Sequence, residues 1–238
     1  MQNIGVIIPC YNEENRLDTT TFKIYIATKP YTFIFVDDGS SDNTLILLNN
    51  ILESYPDKVR IIKLECNGGK AEAVRQGMLN AMETRKFDVI GYLDADLATP
   101  LEEIDFLLPY FNSDRKFIIG SRVKRLGAEI QRSVVRHYSG RIFATFASLL
   151  LNIKVYDSQC GAKFFREDTA TFLFSEPFVS KWLFDLELLY KFKSHYPHSF
   201  CADVLEVPLR SWKEKKGSKI KIKDLVKIPV ELLKIRRS

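Results

Sequence analysis

"VIGYLDADLATP", Val89 to Pro100, runs an apolar segment directly into two carboxylates set one residue apart. With the preceding Phe87-Asp88 the segment is long enough for one strand, and Asp94 and Asp96 fall where it ends. On a strand, residues i and i+2 share a face, so the two carboxylates are expected to converge. Two like charges there repel each other and resist desolvation. A divalent cation relieves both, and Mg²⁺ or Mn²⁺ accepts one or two carboxylates together with phosphate oxygens. The same triplet also occurs in solvated loops, so its weight comes from its position.

Working outward, the apolar runs at 4–9, 31–38 and 59–64 join 87–96 as strands. The helical periods at 41–55 and 69–85 lie between them. Ser41, Asp42 and Thr44 suit a helix start. This alternation predicts an α/β layer with a mainly parallel sheet, whose ligands belong at the carboxyl ends of the strands. Four polar clusters fall there: Asn12-Glu13, Asp37-Asp38, Cys66 to Lys70, and Asp94/Asp96. Further on, 116–122, 161–168 and 203–212 read as strands. The spans 133–151 and 181–196 read as helices. With no internal repeat or low-complexity linker, a single domain over 1–212 is expected, followed by a basic amphipathic tail at 213–238.

Composition supports a globular chain: 238 residues, 46% hydrophobic and 27% charged. Four cysteines without CxxC spacing point to a reducing compartment. The apolar N-terminal run breaks at Pro9 with no basic n-region or cleavage site, so no signal peptide is expected. No apolar run reaches the roughly 18 residues of a membrane span. The net charge of +5 is uneven. Ten Lys/Arg against three acids give 213–238 a net of +7, leaving −2 for the rest. A tail mixing Lys with Ile, Leu and Val fits an anionic membrane surface. It carries only Trp212 at its edge to stack a base, so nucleic acid is not expected as a partner. Docking on the protein's own core, or simple solvation, are the alternatives.

The stretch "NGGKAEAVRQG" puts paired glycines and Lys70 at a helix start, where amides and a lysine favour phosphate. It is not a Walker A pattern and also suits a plain strand-to-helix turn. Asp38-Gly39 suits a turn, and Asp37 is placed to accept hydrogen bonds from a base or ribose. His195 and His198 read as surface residues, and Cys160 lacks a histidine partner for a nucleophile's role.

In order and spacing, "VIIPCYNEENRL", "FVDDGSSDNT", "GGKAEAVRQGM" and "YLDADLATP" resemble nucleotide-sugar glycosyltransferases of family 2 and their GT-A fold. "GSR" (120–122), "RSVVR" (132–136), "DSQCGAKFF" (157–165) and "KWLFDLELLY" (181–190) are similar to that family's polyprenyl-phosphate branch. Within it they are most similar to the dolichyl-phosphate β-glucosyltransferases and their bacterial relatives. Those relatives usually have Arg where Lys181 stands and Gly where Ala71 stands. The Q-x-x-R-W of processive synthases is replaced by Val179-Ser180-Lys181-Trp182. The branch's eukaryotic members carry an N-terminal membrane anchor, a place the basic tail is expected to fill here.

The resemblance implies roles. Pro9, Tyr11 and Glu13 would line the nucleotide pocket, Asp37 would meet a uracil or other base, and Lys70 would lie near the nucleotide. Asp94 and Asp96 would hold Mg²⁺ or Mn²⁺ on the diphosphate. Arg122, Arg132 and Arg136 would meet phosphates of donor or acceptor. Asp157 is a candidate for orienting acceptor or metal, and of Asp185 and Glu187 one at most is expected to face the site. The implied reaction is inverting, metal-dependent transfer of a hexose, glucose by resemblance, from a UDP-type donor to a polyprenyl phosphate. A glycan-hydroxyl acceptor and an inactive nucleotide-binding module are the alternatives. A phosphate acceptor needs little help from a base, since its second pKa is about 6. The enzyme is expected at the cytoplasmic face of a membrane, peripherally bound. Its oligomeric state is not legible.

Overall fold

The computed structural model describes residues 2–84, 86–133, 144–145, 147–148, 150–215 and 222–237, apart from the side chains of 222–227. Three strands form its centre: β1 (Ile4–Cys10), β2 (Thr32–Asp37) and β4 (Val89–Leu93). They are mostly apolar and almost wholly buried. Strands covered on both faces need such unbroken apolar runs, which is why they pair in parallel inside the sheet. β3 (Val59–Lys63) lies outside β2 and is only partly buried. With β5 (Phe117–Ser121), β7 (Ala162–Arg166) and β8 (Val204–Pro208), the seven-stranded order is β3-β2-β1-β4-β7-β5-β8. Only β7 runs antiparallel to its neighbours. The expected mainly parallel α/β sheet is therefore present.

The period-2 alternation of the strands divides the core in two. Val6, Ile8 and Cys10 face one cluster with α1 (Thr19–Thr28), α2 (Thr44–Ser54) and α4 (Glu102–Leu107). Ile7, Ile34 and Val36 face the other, with α3 (Lys70–Thr84), α5 (Glu167–Phe174) and α6 (Phe184–His195).

Several boundaries differ from expectation. α1 had no helical reading, because its sequence TTTFKIYIAT is mostly β-branched, which weakens helix propensity. Asp18 caps it by accepting the Thr21 N–H at 3.0 Å, and Phe22, Tyr25 and Ile26 anchor it in the core. α2 begins at Thr44 after Asn43, with Asp42 accepting the Thr44 N–H at 3.0 Å. The expected strand at 203–212 is two strands, β8 and β9 (Ser211–Lys213), because the chain leaves β5 at Pro208 and pairs with β6 (Glu129–Gln131). β9 carries the chain one residue past the expected boundary at 212. Most of the helix expected at 133–151 lies outside the described residues.

After the short α7 (Phe200–Asp203), which leads into β8, the tail forms a helix, α8 (Ile222–Arg237), that contains Pro229. Leu232 and Ile235 are fully buried in the second cluster, and Ile228 packs against it. For Leu232, docking on the protein's own core, one of the three expectations, is what the chain does. Leu225 and Val226 lie among the side chains not described. No helix among the described residues is long and apolar enough to cross a membrane. Leu232→Ala removes a fully buried side chain and is expected to cost about 2–5 kcal/mol in urea unfolding; a cost under about 0.5 kcal/mol would show α8 to be undocked.

Candidate active site

The order β3-β2-β1-β4 reverses direction between β1 and β4, and the carboxyl ends of these strands open a crevice there. The β1 end supplies Pro9, Tyr11 and Glu13, and it is laced to the loop after β2. Asn12, in the left-handed region at φ 50°, donates its N–H to Ser40 Oγ at 3.0 Å, and Glu13 donates its own to Thr44 Oγ1 at 2.7 Å. Asp37 ends β2 fully buried. One of its oxygens accepts the Ser40 N–H at 3.2 Å, and the other has no partner among the described residues.

Asp38 holds the glycine loop in place. Its carboxylate accepts the N–H groups of Gly68 at 2.8 Å and Gly69 at 2.9 Å, and the Asn67 side-chain amide at 3.0 Å. Burial raises its pKa from the usual carboxylate value, against the pull of those amides. The two glycine amides, expected to be open to a phosphate, are thus occupied by a carboxylate of the chain. Lys70 opens α3 just beyond them and reaches Asp94 at 2.5 Å. Burial works to lower the Lys70 pKa, but Asp94, Asp185 and Asp96 outweigh it and hold the ammonium firmly protonated.

β4 ends at Leu93, so Asp94 and Asp96 sit in a turn and strand alternation does not set their directions. The turn passes through Leu97 at φ 52°, and Asp96 caps it by accepting the Ala98 N–H at 3.0 Å. Asp94 pairs with Lys70, and Asp96 pairs with Arg16 at 2.5 Å. Arg16 also lies 3.4 Å from Glu13, linking the β1 loop to the pair. Among the described residues no group of three or more His, Cys, Asp or Glu is placed to hold a metal ion. Two partly exposed carboxylates suit Mg²⁺ or Mn²⁺ only if phosphate and water complete the shell, as these ions accept. The residues fit a metal that arrives with a diphosphate.

The antiparallel β7 brings the next group. Because Leu93 pairs with Ala162, the residues before β7 arrive at the carboxyl end of β4. Gly161 presses on Asp94, and a Cβ there would lie 2.0 Å from Asp94 Oδ2. Asp157 meets Arg122, which follows β5, through three hydrogen bonds: from the backbone N–H at 3.0 Å and from Nε and Nη2 at 2.6 Å each. Burial pushes the Asp157 carboxyl up, but Arg122 outweighs it and brings the pKa to about 2. Burial and the neighbouring Arg122 cation lower Arg132 from its ordinary value. Arg136 lies outside the described residues.

Beneath the turn, Lys163 is fully buried. It donates to Asp185 at 2.6 Å and to the Cys160 carbonyl at 2.7 Å, while Tyr92 donates to the same Asp185 oxygen. Glu187 is also buried and accepts the N–H groups of Val179 and Ser180. Neither acid of α6 is on a solvated face. Burial raises the Cys160 thiol to about 12, consistent with an inert side chain. His195 and His198 are exposed, as expected. The sequence reading missed Arg16, Asp38 and Lys163. Arg16 carried no signal, Asp38 was read as a turn residue, and Lys163 was hidden inside an apolar strand.

Residues 5–173 match the family described as Glycosyl transferase family 2. The chain is 31% identical to a dolichyl-phosphate beta-glucosyltransferase of Trichomonas vaginalis, over 96% of this chain and 69% of that protein. It is also 31% identical to the dolichyl-phosphate beta-glucosyltransferase of Homo sapiens, over 92% of this chain and 70% of that one. Among solved structures, glucosyl-3-phosphoglycerate synthase from Mycobacterium tuberculosis, in complex with Mn²⁺ and UDP-glucose, superposes with a TM-score of 0.71 at 16% identity. That match covers 99% of this chain and 79% of the other, and shares the fold.

Two outcomes follow from this geometry. Gly161→Ala must displace Asp94, so glycosyl-transfer turnover is expected to fall at least about tenfold while the far-ultraviolet spectrum stays native; undiminished turnover would show the contact to be slack. Asp157 has its pKa lowered in the fold, so its stabilisation is complete above 3.8 and is lost as the pH falls toward about 2. The loss amounts to about 2 kcal/mol. Asp157→Asn should therefore destabilise the protein at pH 7 and flatten that acid limb; an unchanged limb would assign it to other carboxylates.

Proposed function

The chain belongs to glycosyl transferase family 2, and on that premise we propose that it moves a hexose from a nucleotide sugar to a polyprenyl phosphate, inverting the anomeric centre. The names of its relatives favour glucose and a dolichyl-type phosphate. UDP and a divalent metal are favoured by the neighbour of shared fold that was crystallised with UDP-glucose and Mn²⁺.

In this reading Pro9, Tyr11 and Glu13 line the nucleotide pocket. The buried Asp37 carboxylate offers its unpartnered oxygen to a base N–H, which would remove the cost of leaving it unsatisfied. Asp94 and Asp96 would be the residues that hold Mg²⁺ or Mn²⁺ on the diphosphate. The metal's contribution when bound is to neutralise charge on the leaving diphosphate. Lys70 and Arg16, beside these two carboxylates, would add positive charge next to the same anion. Arg122, fixed by Asp157, faces the phosphate of donor or acceptor with Arg132, and Arg136 is proposed to join them.

The choice of acceptor rests on one observation. Asp94, Asp96, Asp157 and Asp185 are each held by a cation, Lys70, Arg16, Arg122 and Lys163 in turn. A sugar hydroxyl needs a free base to remove its proton. A phosphate monoester is already largely dianionic at neutral pH, so cations that gather and orient anions suffice. The acceptor oxygen then attacks the anomeric carbon opposite the departing diphosphate. An acceptor carried in a bilayer places the enzyme peripherally at a membrane, on the cytoplasmic face where nucleotide sugars are met.

The test incubates the protein with labelled UDP-glucose and polyprenyl phosphate in detergent, with Mg²⁺ or Mn²⁺, and follows label into the organic phase. Transfer abolished by EDTA and reduced at least 100-fold by Asp96→Asn is the expected result. Label passing only to a soluble glycan would replace the lipid acceptor with a hydroxyl. No turnover of any donor would leave a nucleotide-binding module.

A further inference from the structure

The two-stranded ribbon of β6 and β9 joins segments far apart in the sequence. Its parallel ladder sets Glu129 beside Ser211, Ile130 beside Trp212 and Gln131 beside Lys213. Ile130 and Trp212 are buried, so the alternate positions Glu129, Gln131, Ser211 and Lys213 face outward. At one end, Glu129 donates its N–H to the Arg210 carbonyl at 2.7 Å, and Arg125 donates to the Pro208 carbonyl at 3.3 Å. That end carries a turn at 125–128, closed by the Ala128 N–H donating to the Arg125 carbonyl at 3.2 Å. Lys124, Arg125, Arg210, Lys213 and Lys215 are exposed along this edge, and Glu129 is its one exposed acid among residues 122–133 and 208–215. Glu214 is half-buried and accepts the Ser133 N–H at 2.7 Å.

At the tip of the turn Leu126 is 100% exposed. Gly127 follows at φ 78°, with nothing within 4 Å of where its Cβ would be. A singly exposed leucine is ordinary. One that is wholly bare, at a turn's apex and flanked by Lys124 and Arg125, gains nothing from the fold. The edge is continuous with the active site, since the Arg122 guanidinium lies 5.3 Å from the centre of the Trp212 ring on the ribbon's buried side.

We propose that this turn and ribbon are a membrane-docking edge, seated on an anionic lipid surface with Leu126 inserted at headgroup depth. An apolar tip among cations is how peripheral segments hold anionic bilayers. A single-stranded nucleic acid would call for an exposed aromatic to stack on, and the ribbon's Trp212 is buried. The edge would present Arg122 and Arg132 to a phosphate carried in the bilayer, and in that purpose the proposal rests on the lipid-phosphate reading. It differs from anchoring by α8, whose Leu232 and Ile235 are buried in the core.

The experiment is vesicle flotation of the full chain with no donor or acceptor present, so that its outcome is independent of the reaction. Phosphatidylcholine vesicles with a quarter phosphatidylglycerol are compared with pure phosphatidylcholine. Binding is expected to the anionic vesicles and to fall about tenfold for Leu126→Glu and for Lys124→Glu/Arg125→Glu together. Val230→Glu, on the exposed side of α8, is expected to leave it unchanged. All these side chains are exposed, and thermal melting at the wild-type midpoint confirms folding. Binding unaffected by Leu126→Glu, binding indifferent to lipid charge, or a loss caused by Val230→Glu alone would each overturn the proposal. So would sedimentation showing that Leu126→Glu dissolves a dimer and leaves vesicle binding intact.

Discussion

Gly161 and Asp94 approach so closely that a Cβ on the glycine would come 2.0 Å from the carboxylate. That contact exists because β7 runs antiparallel between β4 and β5, the one reversal in the sheet. A parallel β7 would have sent residues 157–161 to the opposite edge, away from every other polar cluster. Reversed, it brings Asp157 to Arg122 at the end of β5 and Gly161 to Asp94 at the end of β4. The crevice at the carboxyl ends of β1, β2 and β4 thereby gains a second wall of charge.

The wall is held from below by charges that never meet solvent. A fully buried lysine is costly unless paired and hydrogen-bonded, and Lys163 is both, through Asp185 and the Cys160 carbonyl. That arrangement couples α6 to the backbone immediately before Gly161. Tyr92, on β4, donates to the same Asp185 oxygen, so the strand that ends in Asp94 is tied to the same point. The carboxylates above are each met by a cation. Asp94, Asp96, Asp157 and Asp185 are thus balanced by Lys70, Arg16, Arg122 and Lys163.

Much of this was legible in the sequence. The unbroken apolar runs of β1, β2 and β4 could only be covered strands, and their polar ends could only collect on one edge. Asp37, Lys70, Asp94 and Asp96 were found that way, and Arg122 and Asp157 by resemblance to a family. What a side chain meets was not legible wherever its partner is distant in the chain. Strand alternation predicts a shared face for Asp94 and Asp96, yet the strand stops one residue short and a turn directs them. The glycine amides looked open to phosphate, yet Asp38 fills them from 30 residues away.

The sequence by itself determined the alternation of strands and helices, the edge on which the chemistry gathers and the kinds of side chain found there, because hydrophobic period and strand length are local properties. Only the tertiary structure decided which carboxylate meets which cation, that Lys163 lies beneath the site, that α8 spends Leu232 on the core, and that the basic loop after β5 joins the start of the basic tail in one ribbon. Those depend on strand order and on the direction of β7. Both are set by the packing of the whole sheet, and no short stretch of residues encodes them.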